Sequence, residues 1–177
     1  MTVVPPGFER LVDEANQILR IEVTAVSSRR DDVGPRRIMH TYVEARILRT
    51  LKGEPAPTVT LRFFGGRIGK DVVNVPDMPA LAVGGRYVVF LKDNGTAFCP
   101  LLGVMHGSYP VQHDETTGAD HVRRANGELL MKTQDLARPW AAGPAAEEAR
   151  AATGSGGMTL GDFETSILNR LDHASQK

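Results

Sequence analysis

The side chains able to do chemistry are few and scattered. The five histidines, His40, His106, His113, His121 and His173, contain no His-Glu-x-x-His pair that would set two ligands on one helical face. His113-Asp114-Glu115 with Asp120-His121 brings imidazole and carboxylate donors to the two sides of a short polar tip, a composition that any exposed turn shares. His106, within Val104-Met105-His106-Gly107, has apolar and glycine neighbours whose burial would shift an imidazole pKa, and a lone histidine beside a strand is most simply structural. Gly154-Ser155-Gly156 lacks the preceding strand and following helix of a nucleophile elbow. Cys99, placed in an apolar strand without a nearby cation, is expected to be an inert core thiol. Gly65-Gly66-x-x-Gly69 and Gly84-Gly85 do not join a strand to a helix, so they suit turns better than phosphate cradles. The sequon Asn94-Gly95-Thr96 is accounted for by a tight hairpin turn. No catalytic residue, metal or cofactor is expected. The surface feature that invites a partner is the run Arg29, Arg30, Arg36 and Arg37, whose guanidinium forks suit carboxylate or phosphate, with Asp31 and Asp32 interleaved.

The chain that must position these groups has 177 residues, 41% of them hydrophobic, with 21 Lys+Arg against 21 Asp+Glu. That is one domain with enough apolar residues for a core, and its zero net charge gives no overall drive toward nucleic-acid backbones. No apolar stretch approaches the roughly 20 residues of a membrane span, and Met1-Thr2-Val3-Val4-Pro5-Pro6 has neither the basic nor the apolar region of a signal peptide. Phe8, Leu11, Val12 and Ala15 recur at helical spacing, and from Ile18 the period becomes two through Val26. Ser27 to Arg37 reads as a loop. A long strand follows, with Met39, Val43, Ala45, Ile47 and Leu51 facing one way and His40, Tyr42, Glu44, Arg46 and Arg49 the other. Further strands are expected at 58–63, 71–75 and 86–91, the last apolar on both faces as a central strand would be. Asp93-Asn94-Gly95 predicts a hairpin into Thr96 to Leu102, and Gly103, Gly107, Tyr109 and Val111 predict a glycine-interrupted strand.

These elements divide the chain into a β domain over 1–138, an Ala/Gly/Pro-rich linker over 139–158 and a terminal helix within 159–177, opened by Thr159. Short strands at close intervals, one long bent strand and a helix at each end predict a mainly β fold: a small antiparallel barrel of the oligonucleotide/oligosaccharide-binding (OB) type. A β-sandwich is the alternative.

The pattern Phe8-Glu9-x-Leu11-Val12-x-x-Ala15, Thr41-x-Val43 leading to Leu48-x-x-Leu51-Lys52-Gly53, Gly65-Gly66, Pro76-x-x-Pro79, Gly85-x-Tyr87-Val88-x-Phe90-Leu91, Pro100-Leu101-x-Gly103 and Gly107-x-Tyr109-x-Val111 resembles a broad group of uncharacterised exported bacterial proteins. More distantly it is similar to the netrin-like OB barrels that include the tissue inhibitors of metalloproteases. Those inhibitors present a disulfide-tied N-terminal Cys to zinc, whereas this chain has only Cys99, so their inhibitory residues do not carry over. The resemblance implies an OB-like fold and a periplasmic or secreted address, with Met1 standing where a leader ended. The expected function is a non-enzymatic exported module that binds or inhibits another exported protein, such as a protease, through Arg29, Arg30, Arg36 and Arg37 and the loop 64–79. Two alternatives stand beside it: a metal-assisted hydrolase using His106, His113 or His121, and an OB-type binder of single-stranded nucleic acid.

Overall fold

A computed structural model describes residues 4–151 and 157–176. Helix α1 (Phe8–Glu14) leads into two 17-residue strands, β1 (Gln17–Val33) and β2 (Arg36–Lys52), followed by β3 (Thr58–Phe64), the small hairpin β4 (Gly66–Ile68) and β5 (Asp71–Val73), then β6 (Arg86–Leu91), β7 (Ser108–Asp114) and β8 (Ala119–Val122). Helices α2 (Pro144–Ala151) and α3 (Leu160–Ser175) complete the chain. Six strands form one antiparallel sheet in the order β3-β2-β1-β6-β7-β8, and β4-β5 form a second. The fold is therefore mainly β with short helices. Among the described residues no ladder joins β3 to β8, so the large sheet has two ends.

Both faces of this sheet are buried. On one, Leu11 and Val12 of α1 and Phe163 and Ile167 of α3 cover Ile18, Val88, Phe90 and Tyr109. On the other, Leu19, Ile21, Val23, Val43, Ala45, Leu61, Val89 and Leu91 gather under Leu81, Cys99 and Leu101. Strand β6 thus sends alternate residues into both cores, as its unbroken apolar run predicts. Helix α3 begins as its capping spacing requires, with the Thr159 hydroxyl accepting the Asp162 amide at 3.1 Å. It docks through Glu164, 2% exposed, which receives Arg20 at 3.3 Å and also Arg49. At the end of α1 the Lys52 ammonium donates to the Val12 and Asp13 carbonyls at 2.8 and 3.0 Å, so Lys52-Gly53 works as a helix cap.

Three sequence expectations need correction. Ser27–Arg37 is not a loop: β1 and β2 stay paired through Ser27↔Tyr42, Arg29↔His40 and Val33↔Arg36, and only Gly34-Pro35 turns. Gly34 has φ +60° and proline holds the next φ negative, the sign pattern of a type II′ hairpin. The arginine-aspartate run looked loop-like because it is polar on both faces, yet cross-strand pairing tolerates that beyond the core. Secondly, Arg49 and Leu51 share the helical face. The ladder slips between Arg20 and Ile21, which leaves Leu48 as an extra residue and moves everything after it to the opposite side. Thirdly, Asp93-Asn94-Gly95 does not form a tight hairpin, and Thr96–Leu102 contributes only the isolated bridge Leu91↔Leu101. The Asn94 amide instead closes the β3 edge, accepting the Arg62 N–H at 3.2 Å and donating to the Thr60 carbonyl at 2.8 Å. Phe98 joins it there, its carbonyl taking the Phe64 N–H at 3.0 Å and its ring stacking on Phe64 at 5.4 Å. Asn94→Ala is expected to cost about 1 kcal/mol, measured as the shift of the urea midpoint, and an unshifted midpoint would show that this edge contact is idle.

The Ala/Gly/Pro-rich stretch expected as a linker carries α2 in its middle, and its first residues are held down. Glu128 accepts the Ala141 amide at 2.8 Å, and Trp140 packs edge-on to the His106 ring at 4.9 Å.

Candidate functional site

The floor of the candidate site is laid by the outer halves of β1, β2 and β3. Val26, Ser28, Thr41, Val43 and Phe63 point to the same side of the sheet as the Leu19–Leu61 core, because Val26 pairs with Val43 and Thr41 with Phe63. Beyond Phe64 the chain reverses through Gly65 (φ +88°) and Gly66 (φ +142°) and lays β4-β5 across this surface. Gly66 permits that close approach: a Cβ on it would meet the Thr41 and Ser28 hydroxyls at 2.4 and 2.5 Å. Segment 74–81, with Pro76 and Pro79 preventing a regular ladder, forms the opposite wall. Between them lies a cleft of about 370 Å³, lined mostly by Val, Phe, Met, Pro, Ala and Leu side chains.

The hydroxyls of the cleft are already engaged. Thr41 Oγ1 donates to the Gly65 carbonyl at 2.9 Å, so Ser28 Oγ must donate to Thr41 across 3.1 Å, and Ser28 in turn accepts the Arg67 amide at 3.3 Å. This chain of bonds ties β4 to β1, β2 and the glycine turn. It leaves no hydroxyl activated by a base, and no histidine, cysteine or carboxylate lines the cleft. The rim is apolar and open, with Val26 43%, Val72 48% and Val73 38% exposed.

The four arginines expected to bind a partner lie on the β1–β2 hairpin next to this cleft. Arg29 pairs with Asp31 at 3.2 Å and sits 3.8 Å over the Tyr42 ring. Arg30 reaches Asp71 on β5, fastening one hairpin to the other, and Arg37 pairs with Asp32 at 3.2 Å. Arg36, at the turn, is exposed and forms no ion pair among the described residues. On the other face of the hairpin is a cluster the sequence reading missed. His40, 6% exposed, lies with Nδ1 2.7 Å from Asp31, and the Tyr42 hydroxyl donates to the same carboxylate. Tyr42, then His40 and Arg29, hold the Asp31 carboxyl below the usual carboxylate range against its partial burial. The signal was present only in the register: Arg29↔His40 and Asp31↔Ile38 share a face once 27–37 is known to be strand.

The other sequence candidates are dispersed. His113 Nδ1 is 2.8 Å from Asp120, which Arg86 grips with two bonds of 2.8 and 3.2 Å and holds below its ordinary pKa. His121 pairs through Nδ1 with the Gly157 carbonyl at 2.8 Å, and His106 is buried against Trp140. Among the described residues no three His, Cys, Asp or Glu side chains are placed to hold a metal. Gly154-Ser155-Gly156 lies outside the described residues. Cys99 sits in the loop between β6 and β7, not in a strand, and burial pushes its thiol up to about 11. Native Cys99 is therefore expected to resist a thiol-specific disulfide reagent at pH 8 and to react at once in urea; stoichiometric reaction of the folded protein would contradict the burial. No known protein family and no curated protein matches the chain.

Among the described residues no helix is long and apolar enough to cross a membrane.

Proposed function

We propose that the protein is a non-enzymatic binding module that engages another exported protein through the cleft between the β1–β2 hairpin and residues 64–81. The observation that carries this reading is the cleft itself: a concave, mostly apolar surface whose hydroxyls are consumed in structural bonds and which has exposed valines at its rim. Such a surface binds an apolar anchor and offers no acid, base or nucleophile to transform it. The periplasmic or secreted setting follows from the resemblance set out above.

The scaffold is read as an OB-like barrel. Supporting this, the large sheet is antiparallel and has short helices packed on it, and OB barrels are antiparallel and partly open. The long first strands slip register three times, which is how a sheet curls.

A photo-crosslinking amino acid at Val73 and, as a control, at Met131, which is more exposed and lies outside the cleft, tests the reading. Incubated with extracytoplasmic extract of the native host, the Val73 variant is expected to form a discrete protein adduct that the Met131 variant does not. Stoichiometric zinc in protein purified without chelator, together with no adduct at Val73, would instead support the hydrolase alternative.

A further inference from the structure

The charge around the cleft is not that of the whole chain. Segments 26–40 and 65–80 hold six Lys or Arg against four Asp and no Glu, while the full sequence is balanced. Three arginines are paired to Asp31, Asp32 and Asp71. Of the remaining cations, Arg67 lies on the cleft lining and Lys70 at the tip of the same β4-β5 hairpin, while Arg36 pairs with Val33 at the β1–β2 tip on the face turned away from the cleft. Arg67 and Lys70 are exposed, and Lys70 forms no ion pair among the described residues. The apolar cleft and these two cations therefore ask for different chemistry from a single occupant.

We infer that the occupant is a segment of a partner polypeptide that inserts one large apolar side chain into the cleft and places Asp or Glu beside it, against Arg67 and Lys70. The inference rests on the binding role proposed above and adds the partner's chemistry. A volume of about 370 Å³ is at the small end of ligand pockets, roughly 300–1,000 Å³, and suits one anchoring side chain better than an extended cofactor. Arg67, on the lining, and Lys70, three residues on at the hairpin tip, are two separate cations. That spacing matches carboxylates distributed along a chain, whereas a small amphiphile would carry its single charge at one point. The Arg30–Asp71 pair braces the two hairpins, so the jaws are set before the partner arrives, which lowers the ordering cost of binding. Charges of this kind act mainly on encounter rate and on discrimination between partners.

The test uses the full chain and three acetylated, amidated pentapeptides followed by isothermal titration at low ionic strength: Phe between pairs of Glu, Phe between pairs of Lys, and Gly between pairs of Glu. The acidic Phe peptide is expected to bind about tenfold tighter than either of the others. In the double variant Arg67→Glu, Lys70→Glu, which alters only exposed side chains, the preference is expected to reverse toward the basic Phe peptide. Equal binding of the two Phe peptides, with the Gly peptide weak, would overturn the acidic-partner inference while leaving the cleft as a binding site. Binding of no peptide, or of the Gly peptide as tightly as the Phe peptide, would overturn both. Hexanoate binding as tightly as the acidic Phe peptide would make the occupant a small amphiphilic carboxylate. Self-association abolished by Val26→Asp would make it a second copy of this chain. Either result rejects the inference.

Discussion

Glu128→Ala is expected to destabilise the protein by about 3–5 kcal/mol, because it strands a buried guanidinium. Glu128 and Arg124 are each 2% exposed and bond to one another at 2.7 Å. The second Glu128 oxygen holds the Ala141 amide, and Arg124 also donates to the carbonyls of Arg138 and of Pro139, the latter at 3.5 Å. The pair therefore fastens residues 138–141 to the β8 side of the sheet. Replacing both partners by apolar residues, Arg124→Met with Glu128→Leu, removes the stranded charge but leaves backbone groups unpaired, so it is expected to cost less, about 1–3 kcal/mol. The comparison is made by urea denaturation followed by far-ultraviolet circular dichroism and by the fluorescence of Trp140, the sole tryptophan. A loss under about 1 kcal/mol for Glu128→Ala would show that the pair is solvated and dispensable. Burial raises the Glu128 pKa, but the Ala141 amide, Asn126 and Arg124 outweigh it and hold the carboxyl below its ordinary value. With the folded value depressed, the stabilisation is complete above the ordinary glutamate range and is lost as pH falls through the folded value. Part of the wild-type acid sensitivity is accordingly expected to vanish in the double variant.

Phe163→Ala is expected to cost a similar amount, about 3–5 kcal/mol, and to detach α3. Phe163 is fully buried, with its ring 6.2 Å from Phe90 and 5.4 Å from Tyr109, so truncation leaves a cavity between helix and sheet that aromatic neighbours cannot fill. The measurement is the urea midpoint together with limited proteolysis, where cutting within 157–176 should appear at protease levels that spare the wild type. Unchanged stability and protection would mean that this helix packs elsewhere, for example on a partner. The Glu164 contacts with Arg20 and Arg49 are a weaker hold, since Arg49 remains substantially exposed.

Much of this fold is legible in the residues. The switch from helical to alternating spacing near Ile18 marks the real junction of α1 and β1. The double-faced run Arg86–Leu91 is the central β6, and Thr159 is the cap of α3. The glycines of the resembling pattern are also explained, though structurally: Gly66 lets β4 cross the sheet, and Lys52 beside Gly53 caps α1. Illegibility begins where local composition and long-range pairing disagree. Arg29 to Arg37 is as polar as a loop, and only the partner strand makes it β structure. Asn94-Gly95 favours a tight turn locally, yet the Asn94 amide gains more by completing the edge of β3, thirty residues earlier in the chain. The cleft could be glimpsed as the loop 64–79, but Val26, Ser28 and Thr41 join it through register alone. For the same reason alternation groups His40 with Tyr42, Glu44 and Arg46 but does not show that it is buried beside Asp31.

The measurement that bears most directly on the account is an amide chemical-shift map of the full chain titrated with the acidic Phe peptide. The expected result is saturable shifts confined to residues 26–28, 41–43 and 63–81, with the β7–β8 tip and α3 unchanged. Shifts centred on His113 and His121 or on the face of α3, or none at saturating peptide, would contradict it and remove the cleft as the functional surface.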